Sequence, residues 1–312
     1  MNRLIVIIGP TAVGKSDIAL QLAKQFGCEI VSGDSMCVYR GMDIGTAKPS
    51  LEERHLVPHH LIDILDSGES FSVVDFQKLA ASAIDDINRR GHIPLLVGGT
   101  GLYVQALLEG YQFSPTPKTQ LRKELGVVAS EDSATPELYQ KLLALDPETA
   151  GHIHPADHKR IIRALEVVML EHQPVSRNKA SEKSGLLFDC LVFCLRRNRA
   201  ELYRRIDERV DGMVARGLVD EVKKMLSDGI PAEATSMQAI GYKEMVCHIR
   251  GASSLGEAVA KIKQSSRRYA KRQLTWFRRM PYIRWIDMDE ANTGEEMLAN
   301  MTMQVAEKFS IR

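Results

Sequence analysis

The chain has 312 residues, 44% of them apolar, and a formal net charge of +1. That length predicts about two domains. The apolar share is that of a globular protein, and the near-neutral balance excludes a global basic excess directed at nucleic acid. No apolar run approaches the roughly 20 residues that a membrane span needs. Strand character begins at Leu4, which leaves no room for a leader, so a cytoplasmic protein is expected. Cys28, Cys37, Cys190, Cys194 and Cys247 lack zinc-type spacing and read as core thiols, with Cys190 and Cys194 on one side of a strand. His59, His60, His152, His154 and His158 likewise fit no zinc pattern.

Leu4-Ile5-Val6-Ile7-Ile8 reads as a buried parallel strand. Gly9-Pro10-Thr11-Ala12-Val13-Gly14-Lys15-Ser16 follows and matches the phosphate-loop pattern G-x-x-x-x-G-K-[ST]. A helix over residues 16–26 completes the strand–loop–helix context that the motif requires. Glycines let backbone N–H groups curl around an anion, the helix N-terminus adds partial positive charge, and Lys15 adds a full one. Ser16 offers a hydroxyl to a magnesium ion. The loop implies a held polyphosphate, but neither ATP nor hydrolysis.

Residues 29–32 read as a second strand, followed by Asp34. Residues 60–65 read as a third, with Asp63 inside it. Ser72 caps a helix running to Arg90 and ended by Gly91. Residues 93–97 form a fourth strand, which leads into Gly98-Gly99-Thr100-Gly101. This alternation predicts an α/β fold, a P-loop-type parallel sheet flanked by helices. Such sheets bind ligands at the carboxyl ends of their strands, so the turns at Gly9, Asp34 and Gly98 are expected to converge on one crevice.

Residues 114–184 change character: Pro115, Pro117, Pro136, Pro147, Pro155 and Pro174 interrupt polar helical segments. They are expected to form a helical insertion domain, with 1–113 and 185–312 making the core. Strand signals return over 187–195, and from Asn198 onward the pattern is mostly helical. Between Val259 and Ile286 lie Lys261, Lys263, Arg267, Arg268, Lys271, Arg272, Arg278, Arg279 and Arg284, with no Asp or Glu. A run of this kind predicts a basic helix with a local anion-binding face for RNA phosphates. Tyr269, Trp276, Phe277, Tyr282 and Trp285 are interleaved with it; such rings stack on unpaired bases or pack into a core.

No acid ends the strand over 93–97, as a phosphate-hydrolysing site would usually have. Asp34, after the second strand, is placed either to orient metal-bound water or to serve as a general base. The residues alone leave this choice open, with a small-molecule P-loop kinase and a non-catalytic RNA-binding protein among the readings.

The chain resembles the tRNA dimethylallyltransferase family, bacterial enzymes that prenylate the adenosine just 3′ of the anticodon. The resemblance rests on the phosphate loop, Asp34-Ser35, Tyr39-Arg40-Gly41-Met42-Asp43-Ile44-Gly45-Thr46-Ala47-Lys48-Pro49, Pro58-His59-His60 and Gly98-Gly99-Thr100-Gly101-Leu102-Tyr103. It continues through Arg163-Ala164-Leu165-Glu166-Val167, Ala239-Ile240-Gly241-Tyr242 and Lys271-Arg272-Gln273-Leu274-Thr275-Trp276. These stretches span nearly the whole chain; the alternative beside this resemblance is an isopentenyltransferase acting on free adenylate, and a free nucleotide has no use for the basic run. The resemblance implies transfer of a dimethylallyl group from dimethylallyl diphosphate to the exocyclic amine of adenosine, with release of pyrophosphate, by a cytoplasmic monomer using Mg2+.

By the same resemblance, Gly9, Thr11, Ala12, Val13, Gly14, Lys15 and Ser16 bind the diphosphate, Ser16 through magnesium. Asp34 acts as base on the amine, Thr100 donates to the bridging oxygen of the leaving group, and Arg205 helps clamp it. The tRNA anticodon stem-loop would meet Asp34, Ser35, Met36, Cys37, Thr100, Arg122, Lys159, Arg160, Arg163, Gln238, Gly241, Tyr242, Lys243, Lys271, Arg272, Gln273, Trp276 and Arg278. The family usually has Gln where this chain has Cys37, and Asn where it has Ala156.

Overall fold

The computed structural model describes residues 1–113, 135–171, 185–289 and 294–310. Six strands form one sheet: β1 (Arg3–Ile8), β2 (Glu29–Ser32), β3 (His59–His60), β4 (Pro94–Gly98), β5 (Asp189–Arg196) and β6 (Ile283–Asp287). Their order is β3-β2-β4-β1-β5-β6, and every pairing is parallel. β1 is central and apolar on both sides. Leu4, Val6 and Ile8 pack into one core cluster with Val31, Leu96 and Val192, while Ile5 and Ile7 pack into another with Ile30, Leu95 and Phe193. Burial on both faces explains why this strand shows an unbroken apolar run rather than alternation.

The helices follow in chain order. α1 (Lys15–Phe26), α2 (Leu51–Leu56), α3 (Val73–Arg89) and α4 (Gly101–Glu109) accompany the first four strands. α3 begins with a reciprocal cap: the Ser72 hydroxyl accepts from the Asp75 N–H, and the Asp75 carboxylate accepts from the Ser72 N–H. Next come α5 (Thr135–Leu145), α6 (Pro147–Gly151) and α7 (His158–Glu171). After β5 come α8 (Arg199–Ala215), α9 (Leu218–Ser227), α10 (Tyr242–Ile249), α11 (Leu255–Phe277) and, after β6, α12 (Gly294–Phe309).

The chain forms two compact units, Met1–Gly110 with Leu186–Arg312, and Tyr111–Gly185. The first holds the sheet. The second has its own small core, in which Leu138, Leu142, Ala150, Ile161 and Leu165 from α5, α6 and α7 meet. All five cysteines are free, and Cys190 and Cys194 do share one side of β5; Cys247 is exposed on α10, so it is not the core thiol that was expected. No helix among the described residues is long and apolar enough to cross a membrane.

The structure also departs from the sequence reading in its strands and in its basic segment. The third strand is only His59–His60. Leu61 and Asp63 have positive φ, and the Asp63 carboxylate is drawn to Lys48 and Arg54 at 2.6 Å each, so the chain turns where an apolar strand was expected. The basic segment is not one helix: α11 ends at Phe277, and Arg284 and Trp285 lie on β6. β6 escaped notice because it is a short edge strand with an exposed Arg284 in its middle.

The carboxyl ends of β2 and β4 touch through glycine. A Cβ on Gly98 would lie 2.5 Å from the Gly33 carbonyl oxygen, and backbone there cannot move aside. Gly98→Ala is therefore expected to destabilise the protein by roughly 1–3 kcal/mol, the usual cost of overpacking. Gly68→Ala, where nothing lies within 4 Å of the added carbon, should be near neutral. Denaturant midpoints of the two variants check this.

Candidate active site

The phosphate loop leaves β1 and enters α1 through Gly14, whose left-handed φ of 108° only glycine adopts without cost. No side chain caps this helix, so its first-turn N–H groups face open space. Lys15 curls back, and its ammonium donates to the Gly9 and Pro10 carbonyls at 3.0 and 2.8 Å. Burial lowers its pKa to about 8, with the nearby Arg209 guanidinium adding to the effect and Asp34 opposing it. Two arginines hold the loop from outside. Arg205 donates to the Ala12 carbonyl at 3.0 Å, and Arg197 to the Val13 carbonyl at 3.1 Å. Ala12 has a left-handed φ of 63°, so these bonds fix a conformation that alanine does not choose by itself.

Asp34 stands across from the loop, just after β2. Its carboxylate accepts from the Met36 N–H at 2.8 Å, which fixes the side chain and leaves the other oxygen open to the cleft. Thr100 is the N-cap of α4, yet its hydroxyl caps nothing there. It lies beside the Tyr269 hydroxyl, whose pKa is raised to about 12 by burial and by the charge of Asp34. Gln273 ties the two sides together. Its buried amide accepts from the Thr11 N–H at 3.0 Å and donates to the Gly99 carbonyl at 2.8 Å.

Three adjoining cavities meet here, of about 140, 370 and 440 Å³. The first holds Lys15, Ser16 and Asp34, with an apolar wall of Ala19, Ile30, Cys37 and Ile62. The second shares Asp34 and Tyr269 and opens toward Gln238, Lys243 and Arg272. The third lies on the outer side of the loop, between Ser16 and Arg205. Arg209 lines all three. Its guanidinium donates to the Thr46 carbonyl at 3.3 Å, and burial presses its pKa down while Asp34 pulls it back. Arg209 is the residue that sequence reading missed. It lies one turn beyond Arg205 on the same face of α8, a spacing that could have suggested it.

Ser16 opens onto the first and third cavities. A single hydroxyl beside phosphate oxygens suits magnesium, which keeps several waters and takes few protein ligands. Among the described residues no three His, Cys, Asp or Glu side chains gather as a metal site of their own.

The residues expected to meet RNA divide. Lys243, Lys271, Arg272 and Arg278 are exposed, and Arg272 sits over the Tyr269 ring at 5.6 Å. Ser35, Met36 and Gln238 line the second cavity. Cys37 is buried in the first, where burial and Asp34 push its thiol pKa up. Gly241, Tyr242 and Gln273 are turned inward instead: the Tyr242 hydroxyl donates to Glu221, and both ends of the Gln273 amide are bonded within the protein. Trp276 packs against Gly101, and Phe277 is fully buried, so these rings serve the core.

On α7, Lys159 and Arg160 are exposed, while Arg163 pairs with the buried Glu166 at 2.8 Å. Arg122 lies outside the described residues. The basic run is also less free than its composition implied. Lys263 pairs with Asp211 and Arg267 with Asp207, both acids lying on α8.

The lowered pKa of Lys15 has a testable sign. In the free protein the ammonium loses its proton through about pH 8, and a bound anion raises that value again. Pyrophosphate affinity is therefore expected to fall as pH rises above about 8, with proton uptake on binding. Calorimetry in buffers of different ionisation enthalpy measures both, and Lys15→Ala should abolish the uptake.

Comparison with known proteins agrees with this geometry. The family model described as IPP transferase matches residues 37–280, and the model described as isopentenyl transferase matches residues 2–60. The tRNA dimethylallyltransferase of Geobacillus thermodenitrificans is 48% identical over 290 residues, covering 93% of this chain and 91% of that protein. The crystal structure of the tRNA isopentenylpyrophosphate transferase of Bacillus halodurans is 43% identical, with a TM-score of 0.75 over 99% of this chain and 97% of that one. A eukaryotic dimethylallyltransferase, solved acting on tRNA, is 30% identical, with a TM-score of 0.84 over 99% of this chain and 79% of that one. The sheet, the phosphate loop and these matches lead to one conclusion: the chain belongs to the IPP transferase family.

Proposed function

We propose that this protein transfers a dimethylallyl group from dimethylallyl diphosphate to the exocyclic amine of the adenosine 3′ of the anticodon in tRNA, and releases pyrophosphate. The carrying observation is that the phosphate loop, Asp34 and Arg209 line adjoining cavities, with Thr100 behind the Tyr269 hydroxyl that borders two of them. The first and third cavities offer loop N–H groups, Lys15 and Arg209 to a diphosphate. The second brings a base to Asp34 from the side where Lys243 and Arg272 can meet RNA phosphates. The apolar wall beside Cys37 suits a five-carbon chain.

An adenine amine is a weak nucleophile, because its lone pair is delocalised into the ring. Asp34 accepts its proton as the new C–N bond forms, within the usual range of about 10²–10⁴-fold for general bases. The carbon–oxygen bond to pyrophosphate breaks in the same step, and negative charge builds on the leaving group. Lys15, Arg209 and the N-terminus of α1 face that charge, where preorganised donors act most strongly. In this reading Thr100 donates to the bridging oxygen, supported by its position beside the Tyr269 hydroxyl at the cavity wall, and Arg205 contributes by holding the Ala12 carbonyl. Magnesium, held by Ser16, would add positive charge at the same phosphate oxygens. No acid ends β4, which continues into Gly98 and Gly99, and this disfavours a small-molecule kinase. The helical unit carries Lys159 and Arg160 as a second basic surface for the anticodon stem.

The direct test incubates the protein with labelled dimethylallyl diphosphate and unmodified tRNA, and looks for label in the RNA. Asp34→Ala is expected to lower single-turnover rates at least about 10²-fold, with tRNA binding nearly unchanged. Normal chemistry in this variant would remove Asp34 from the role of base. ADP release in proportion to RNA modification would contradict the whole reading.

The exposed basic residues make a separate test. Replacing Lys271, Arg272 and Arg278 together by Gln should weaken tRNA binding and reduce its salt dependence, by a slope of roughly 0.7–0.9 per lost phosphate contact. Lys263→Gln and Arg267→Gln should leave the slope unchanged, since their partners are Asp211 and Asp207. Salt titrations of all variants decide between a phosphate-contacting face and a merely solvated one.

A further inference from the structure

We propose that Glu221 is a positioning residue for this reaction. With Tyr242 it holds the turn at residues 43–45, so that the Thr46 carbonyl aims Arg209 into the cleft. The inference rests on the diphosphate reading above. Glu221 lies on α9 and lines none of the three cavities. One oxygen of its carboxylate accepts from the Asp43 and Ile44 N–H groups at 2.9 and 2.8 Å. The other accepts from the Gly45 N–H at 3.1 Å and from the Tyr242 hydroxyl at 2.5 Å. Successive backbone N–H groups converging on one anion form a nest, and each bond is charge-assisted.

The turn is also seated sterically. Tyr242 is fully buried, and a Cβ on Gly45 would lie 2.4 Å from its ring, so the backbone rests directly on the aromatic face. On the far side Lys48, with only 2% of its side chain exposed, reaches the Tyr39 carbonyl at 2.8 Å and the Asp43 and Asp63 carboxylates at 2.6 Å each. Between these two anchors stand Thr46, whose carbonyl receives Arg209, and Ala47, held at a left-handed φ of 49°. Such a conformation persists only where its surroundings impose it. The carboxylate thus acts on the cleft through a turn, at a residue that faces every cavity of the site.

The test measures pyrophosphate binding by calorimetry on the full chain, for the parent, Glu221→Gln, Tyr242→Phe, Arg209→Gln and the paired variants. Glutamine keeps the size of Glu221 but loses the charge and turns an N–H donor toward the nest. Glu221→Gln is expected to weaken pyrophosphate about tenfold, and Tyr242→Phe by about two- to threefold, the scale of losing charge-assisted bonds. Each should add little once Arg209→Gln is present, because both act through that guanidinium. If Glu221→Gln does not fold, the Tyr242→Phe and Arg209→Gln cycle carries the same comparison. Full additivity in the cycle, or unchanged affinity in both single variants, would overturn the proposal and leave Glu221 a fold-stabilising residue only. Failure of the parent itself to bind pyrophosphate would instead overturn the diphosphate reading, and this inference with it.

Discussion

Cations in the cleft are tethered by backbone carbonyls rather than by carboxylates. Lys15 rests on Gly9 and Pro10, Arg205 on Ala12, and Arg209 on Thr46. A carbonyl fixes the direction of a charged donor without cancelling its charge, whereas a carboxylate would leave little field for a ligand. The physical requirement is severe, because like charges are gathered in a part-buried space. Its signature is the lowered pKa of both Lys15 and Arg209, to which burial contributes most. Asp34 relieves this repulsion in part, and so contributes to the electrostatics of the resting site.

Much of this was legible in local sequence. The phosphate loop and Asp34 each follow a strand, and both line the cavities at the carboxyl ends of the sheet, where the sequence led one to expect them. The central sheet was legible too, since β1 and β4 are buried on both faces and read as continuous apolar runs. Arg209 was not legible, because Arg205 and Arg209 share one face of α8. Which of them reaches the cleft depends on how deeply each turn of that helix is packed. Arg205 grips the loop's carbonyl and borders only the third cavity, while Arg209 lines all three.

The basic run illustrates the opposite error. A stretch without acids suggests unpaired charge, yet Asp207 and Asp211 stand far away in sequence and directly opposite in space. Aromatic residues in the same run were equally ambiguous, because a ring that stacks on a base and a ring that fills a core have the same composition. Trp276 and Phe277 belong to the core, and only Tyr269 lines the cavities. Asp63 was misplaced because a left-handed turn inside an apolar segment leaves no compositional mark.

Gln273 gives α11 a fixed register. One face of this helix presents Lys271 and Arg272 outward, and the intervening face sends Gln273 between Thr11 and Gly99. Each residue of an α-helix advances the azimuth by about 100°. A single insertion between the Ser254 cap and Gln273 would therefore swing the amide away from the phosphate loop and carry Arg272 toward it, and a single deletion would carry Leu274 there instead. Length variation should be tolerated in the loop before Ser254 and after Phe277, and strictly excluded between them.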